Sequence, residues 1–161
     1  MRATHLFPVI LGALALQLGT SPALHAQLLD AKVISLDAAR KMLSAADAEA
    51  RKNGWTVSIA IVDAAGTLLA FQRMDNASLT SADVAIGKAR TAARMRRPTK
   101  ALDSLISTGR VQYLAFDGIM PLEGGLPVTY QGKIIGGIAA SGATSAQDAQ
   151  IAAAGMAALV P

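Results

Sequence analysis

The residues best suited to binding chemistry are cationic and lie close together in the chain. Six positive charges occur within thirteen residues, and their side chains can form charge-assisted hydrogen bonds to an anionic ligand: Lys88, Arg90, Arg94, Arg96, Arg97 and Lys100. Lys88 and Arg90 are the members we predict to contact a ligand. The alternative is a solvated surface or a subunit contact. A nucleic-acid site is not favoured, because the formal net charge is only +4 and no aromatic residues are interleaved with the basic ones.

A glycine-rich stretch, GGLPVTYQGKIIGGIAASGATSAQD at 124–148, provides the second candidate surface. Glycine inside a strand weakens it, so each one indicates close packing or the close approach of a ligand. Close packing against an alanine-rich helix is the first explanation. In the second, Gly124, Gly125 and Pro127 form one backbone wall of a ligand pocket. Amides near Ser141 and Gly142, just before the last predicted helix, could also bind an anion.

The composition excludes several kinds of catalysis. Cysteine is absent, and both histidines, His5 and His25, lie in the predicted leader. The predicted mature chain therefore lacks Ser-His-Asp and Cys-His catalysis and histidine-based zinc sites. Any metal bound by the mature chain would therefore need oxygen ligands, a methionine thioether or a lysine amine.

The first 26 residues resemble a secretory signal. Arg2 supplies a positive charge, an apolar run follows from residue 6 to 18, and Ala26 is a small residue suited to cleavage. We expect a single mature domain at 27–161, periplasmic or secreted, with no membrane insertion after cleavage. An uncleaved N-terminal anchor is the alternative.

The hydrophobic pattern predicts an α+β domain in which an antiparallel sheet packs against helices. The predicted helices cover 36–53, 81–96, 99–106 and 145–159, with Ser35 marking the start of the first and Ser145 as the cap of the last. Hairpins are predicted from the strands 55–62 and 67–73, joined by a turn that Asp63 begins, and from 126–130 and 133–140. The short apolar runs at 111–116 and 119–122 are predicted as strand or extended loop.

Four blocks in order resemble the GlcG/HbpS family of haem-binding domains, a module also found at the C-terminus of PduO-type corrinoid proteins. They are IVDAAGTLLAFQRMDNA (61–77), GKARTAA (87–93), the glycine-rich stretch, and AQIAAAGMAAL (149–159). The resemblance implies a five-stranded antiparallel sheet flanked by helices, a profilin-like architecture, and symmetric oligomers, often octamers. Some members carry two acidic residues near Asp83. Here Ile86 stands at the second position, which argues against an iron site of paired carboxylates. For haem iron, the resemblance indicates Met120, on the segment leading into Gly124 and Gly125, ahead of Tyr113 and Tyr130, because a methionine thioether can serve as an axial ligand.

The resulting hypothesis is a secreted homo-oligomer that binds haem or another planar anionic small molecule without conventional catalysis. Two alternatives stay open. One is an enzyme acting on a small organic acid, with Lys88 and either Tyr130 or Asp63 moving protons. The other is an accessory subunit that holds a partner protein through the basic cluster.

Overall fold

The computed structural model describes residues 30–159, and the residues from Ala31 onward form one unit. The predicted signal peptide lies outside the described residues. Four α-helices, a 3-10 helix and four strands follow the order α1 (Leu36–Lys52), β1 (Ser58–Asp63), β2 (Leu68–Arg73), α2 (Ser81–Met95), α3 (Thr99–Ser107), the 3-10 helix (Val111–Ala115), β3 (Gly125–Tyr130), β4 (Lys133–Ser141) and α4 (Ser145–Ala157). No helix within 30–159 is long and apolar enough to span a membrane.

The strands form one antiparallel sheet in the order β2-β1-β4-β3. β1 and β4 are central, and their β-branched and small residues are almost entirely buried. Helices α1 and α4 cover one face of the sheet, where Met42 and Ile151 pack with Ile59 and Ile138. Helix α2 covers the other face. The α+β prediction and both predicted hairpins are confirmed.

The contact between α2 and the sheet is made by very small residues. Ala85, Ala89 and Ala93 of α2 pack against Ala60 and Ala139 of the central strands. At Gly137 of β4, an added Cβ would collide with the backbone oxygen of Ala89. The glycine in mid-strand therefore lets the helix lie close to the sheet, which is the packing explanation.

The expectation of a fifth strand is wrong for the described residues, which form a four-stranded sheet. Residues 111–116, predicted as strand or extended loop, begin with the 3-10 helix, and a loop leads from there to β3. Most side chains of this stretch are exposed, with Val111 and Leu114 each 59% accessible. A short apolar run indicates a strand only if a sheet face buries it.

The structure confirms the predicted start of helix α1 and corrects the predicted cap of helix α4. The Ser35 hydroxyl accepts a hydrogen bond from the Ala38 amide (3.1 Å), as its position before α1 predicts. Helix α4, however, is capped by Thr144 and not by Ser145. Thr144 and Gln147 form a reciprocal capping box. Asp148 is consequently free to turn toward the protein interior.

Candidate functional site

Lys88 of α2 is buried in an ion pair. Its Nζ lies 2.9 Å from Oδ2 of Asp148 at the start of α4 and 3.3 Å from the carbonyl oxygen of Ala140. Both charged side chains are only 3% exposed. The ammonium group predicted to contact a ligand thus bonds to groups of its own chain.

Gly124 and Gly125 surround this ion pair. At Gly124, where φ is +128°, an added Cβ would lie 2.8 Å from both Lys88 Nζ and Asp148 Cβ. At Gly125 it would lie 2.6 Å from the backbone oxygen of Lys88 and 2.9 Å from Cγ2 of Thr99. The Gly125 amide also donates to the Thr99 hydroxyl (2.9 Å). We call Lys88, Thr99, Gly124, Gly125 and Asp148 the glycine junction.

Within the chain, the glycine junction does not present the open backbone wall that the glycine pattern suggested. The space beside the two glycines holds the side chains of Lys88, Thr99 and Asp148. Pro127 is half-buried in β3 and pairs in register with Gly137. The glycines are therefore accounted for by packing between elements.

The amides near Ser141 and Gly142 also have an internal partner. Ser141 is buried at the end of β4. Gly142 has φ +138°, and an added Cβ would lie 2.5 Å from the Thr56 carbonyl oxygen. The following amide, of Ala143, donates to Oδ1 of Asp148 (3.1 Å). A carboxylate of the chain thus occupies the place predicted for a bound anion.

Burial raises the pKa of Asp148 above its usual value. Four favourable interactions oppose this shift: the hydrogen bond from Lys88, the positive charge of Lys88, and the hydrogen bonds from the amides of Ala143 and Gly142. Loss of hydration in the interior exceeds them because a carboxylate loses much hydration energy on burial. The ion pair is a structural element with an appreciable desolvation cost.

The other cations of the basic cluster have separate environments. Arg90 Nε donates to the carbonyl oxygen of Gly66 in the β1–β2 turn (3.1 Å). Lys100 pairs with Glu123 at 2.9 Å, and Arg97 Nε donates to the Met95 carbonyl oxygen (3.3 Å). Arg94 is exposed, and none of the ion pairs within residues 30–159 includes it. The cluster is therefore not one site.

Met120, the predicted iron ligand, packs on helix α2. Its amide donates to the Thr91 hydroxyl (2.7 Å). Its side chain lies against Gly87, where an added Cβ would be 3.0 Å from Met120 Cβ and 3.4 Å from its Cε. The described residues contain no group of three or more His, Cys, Asp or Glu side chains arranged to hold a metal ion.

A groove that the sequence did not suggest lies beside the C-terminal half of α2. Its volume is about 190 Å³, and it is bounded by Thr91, Arg94 and Met95 of α2 and by the loop 116–119. We call it the α2 groove. The bond between Thr91 and the Met120 amide fixes the loop against the helix.

Exposed apolar side chains continue from the α2 groove along residues 111–122, which we call the apolar segment. Phe116, at the groove, is 57% exposed, and Leu122 is 44% exposed. Tyr113 stacks with Phe116 at 6.3 Å between ring centroids, and the Arg110 guanidinium lies 5.7 Å from the Tyr113 ring. The signal available in the sequence was the presence of Tyr113 and Phe116 together in a chain with only 4% aromatic residues.

The three side chains suggested for proton transfer, Lys88, Asp63 and Tyr130, are not in contact with one another. Oδ1 of Asp63 accepts hydrogen bonds from the amides of Ala65 (2.9 Å) and Thr67 (2.8 Å), which is the role of a turn former. Tyr130 lies at the opposite end of β3 from the glycine junction, beside a separate apolar groove of about 150 Å³. With Lys88 paired to Asp148, these three side chains do not form one site.

The fold and these surfaces define an α+β domain with a four-stranded antiparallel sheet between helices, a buried ion pair and an exposed apolar segment beside arginines. A family model described as "Haem degrading protein HbpS-like" matches residues 34–157, and the chain belongs to this HbpS-like family. It is 43% identical to protein GlcG of Escherichia coli K12 over 109 residues, which cover 68% of this chain and 81% of GlcG.

Solved structures agree with this assignment. A crystal structure of a double mutant of HbpS from Streptomyces reticuli has a TM-score of 0.79 and 35% identity, covering 88% of this chain and 97% of that one. A crystal structure of a complex of PduOC with heme has a TM-score of 0.73 and 30% identity, covering 80% of this chain and 96% of that one. The resemblance to the GlcG/HbpS family is therefore confirmed.

Proposed function

We propose that this protein binds haem or a related tetrapyrrole. The observation that carries the proposal is the similarity to PduOC, a relative crystallised with heme, along 96% of that chain. Fold alone does not determine function. Identity of 30% over a shared length of this extent, together with family membership over residues 34–157, gives stronger support than fold similarity.

The surface of this chain has the composition that such a ligand needs. A tetrapyrrole carries a large apolar ring and carboxylate groups, so it is held by apolar contacts together with cations. Phe116 is exposed and lines the same groove as Arg94, and Arg110 lies over the Tyr113 ring that stacks with Phe116. Neither arginine has a carboxylate partner among the ion pairs of residues 30–159. The glycine junction lacks free space beside its cation.

The proposal includes export and self-association. The signal-like sequence of residues 1–26 supports a periplasmic or secreted location. The exposed apolar side chains, including Leu79 at 81% and Val33 at 79%, support a homo-oligomer. Intact mass measurement of protein from a periplasmic extract should show cleavage after Ala26, and analytical ultracentrifugation should show a species larger than the monomer.

Titration of the purified mature protein with haem tests the ligand. We expect a Soret band that shifts and saturates at a fixed stoichiometry, and no such change with the heat-unfolded protein. Following the band over hours distinguishes stable binding from degradation, which would bleach it. Folded protein that produces no saturable change would contradict the proposal.

A further inference from the structure

We infer that the α2 groove binds a small apolar α-amino acid, with the carboxylate of the ligand on Arg94 and its ammonium group on Asp117. The inference goes beyond the proposed function, because it concerns a second ligand of different chemistry, a small zwitterion. It does not depend on the binding of a tetrapyrrole, and it is tested on the haem-free protein.

The lining of the α2 groove carries one positive and one negative side chain, which do not pair with each other. Arg94 and Asp117 are both exposed there, and none of the ion pairs within residues 30–159 includes either of them. Balanced charges that are held apart favour a ligand carrying both charges over a simple anion. The guanidinium can donate two parallel hydrogen bonds to a carboxylate, and the Asp117 carboxylate can accept from an ammonium group.

The neighbouring β1–β2 turn restricts the Arg94 side chain. At Gly66 in this turn, an added Cβ would lie 3.1 Å from Cδ and 3.4 Å from Cγ of Arg94, so the aliphatic part of the side chain packs against the turn. Arg90, one turn earlier in α2, donates from Nε to the Gly66 carbonyl oxygen (3.1 Å), which holds the turn against the helix. Because Arg94 is already restricted, less side-chain entropy is lost when its guanidinium binds a ligand.

Asp117 is positioned by the loop on the other side of the groove. The Met120 amide donates to the Thr91 hydroxyl (2.7 Å), and this bond fixes the loop against α2. Thr91 is itself buried, with 1% of its surface accessible. The two charges therefore belong to segments that are bonded to each other, which limits the distance between them before a ligand binds.

The size and the apolar part of the groove define the class of amino acid. The volume of about 190 Å³ is below the roughly 300–1,000 Å³ of pockets that enclose drug-sized ligands, so the ligand must be small. Met95, Phe116 and Ile119 supply the apolar lining. A short aliphatic side chain would cover part of this lining and remove it from water, which is favourable. L-leucine is therefore the probe.

Asp117 distinguishes an amino acid from a simple carboxylic acid. Its carboxylate should attract the ammonium group of leucine and should repel isocaproate, which is leucine without its amino group. Asp117→Asn should therefore weaken the binding of leucine and strengthen the binding of isocaproate. Both changes should become smaller with added salt, because the groove is open to solvent.

The experiment is a titration of the haem-free mature protein with L-leucine, followed by the NMR chemical shifts of backbone amides. We expect saturable shifts at 116–119 with a dissociation constant of about 1 mM. Isocaproate and isoamylamine, which is leucine without its carboxylate, should each bind about tenfold more weakly.

Matched variants locate the two charges. Arg94→Gln should weaken leucine binding about tenfold, whereas Arg96→Gln, which removes an exposed charge outside the groove lining, should not. Asp117→Asn should weaken it by a similar factor, whereas Asp75→Asn, at an exposed position after β2, should not. Circular dichroism and thermal unfolding of each variant show that it is folded.

Three outcomes would overturn the inference. The first is folded wild-type protein with no saturable shift at 116–119 up to about 20 mM leucine. The second is equal affinity for leucine and isocaproate, which would exclude a site for the ammonium group. The third is leucine binding that Arg94→Gln and Asp117→Asn leave unchanged, which would exclude this location. None of these results bears on the Soret titration, which tests the proposed function separately.

Discussion

Two cations of helix α2, Lys88 and Arg94, lie in opposite environments. Lys88, in the middle of the helix, is 3% exposed and is bonded to Asp148 and Ala140. Arg94, near the end of the same helix, is exposed at the α2 groove and is absent from the ion pairs of residues 30–159. One cation holds three elements together, and the other is available to a ligand.

The difference shows that the density of charge in a sequence does not identify a binding site. Lys88 and Arg94 belong to one basic run, but their environments depend on residues far along the chain. Asp148 is 60 positions from Lys88. Burial without a partner would be very costly for an ammonium group, so the carboxylate partner determines that Lys88 is structural.

The largest effect is expected from breaking the buried pair. Lys88→Met leaves the Asp148 carboxylate buried without its partner, which should lower the free energy of unfolding by about 3–5 kcal/mol. Lys100→Met is the matched control, because its pair with Glu123 has the same 2.9 Å distance but its lysine is 68% exposed. A loss of about 1 kcal/mol or less is expected there. Urea unfolding measures both.

The double variant Lys88→Met/Asp148→Leu tests whether the cost comes from the isolated charge. Replacement of a buried ion pair by apolar residues is often neutral or stabilising. We expect this variant to recover most of the stability lost in Lys88→Met. Equal losses of unfolding free energy in Lys88→Met and Lys100→Met would show that the glycine junction is hydrated and open. The junction would then again be a candidate ligand site.

The next largest effect is expected at Gly125. Gly125→Ala places a Cβ about 2.6 Å from the backbone oxygen of Lys88, so helix α2 must shift, at a cost of about 1–3 kcal/mol. Gly87→Ala is the control in the same helix. Its added Cβ would lie 3.0 Å from Met120 Cβ, a smaller overlap with a side chain, and alanine gains about 1 kcal/mol in helix propensity. Thermal unfolding should therefore show a larger decrease in Tm for Gly125→Ala than for Gly87→Ala. Equal Tm values would exclude tight packing at the glycine junction.

Much of the fold could be predicted because the capping, turn and hydrophobic patterns of short segments agree with the burial that the structure gives those segments. The cap at Ser35, the Asp63 turn and the alternation in both hairpins each depend on neighbouring residues, and the structure confirms them. The prediction failed at residues 111–116. The apolar run there has no sheet face to bury it, and hydrophobicity alone cannot show whether such a face exists.

The site was harder to predict because it depends on contacts between distant segments. The glycine pattern correctly indicated close approach, but not that Lys88 and Asp148 fill the space beside Gly124. The α2 groove needs the loop 116–119 to return to helix α2, which the bond from the Met120 amide to Thr91 secures. Nothing local to either segment indicates that bond.

The α2 groove should respond in the opposite way to the glycine junction. Arg94→Gln removes an exposed side chain outside any ion pair among residues 30–159, so its effect on the free energy of unfolding should stay within about 0.5 kcal/mol. Affinity for leucine should fall nonetheless. Urea unfolding of the haem-free protein provides the test. A loss as large as that of Lys88→Met would mean that Arg94 is structural as well.

The smallest effect is the pH dependence that Asp148 contributes. Burial raises the pKa of Asp148, so the folded state binds this proton more tightly than the unfolded state, where the pKa is about 3.9. The stabilisation from protonation is fully present below that unfolded value and is lost as pH rises through the folded pKa. The free energy of unfolding of the wild type, relative to Lys88→Met/Asp148→Leu, should therefore decrease with rising pH across the acid range. An increase would mean that attraction to Lys88 outweighs the loss of hydration, and the pair would then be a net source of stability at neutral pH.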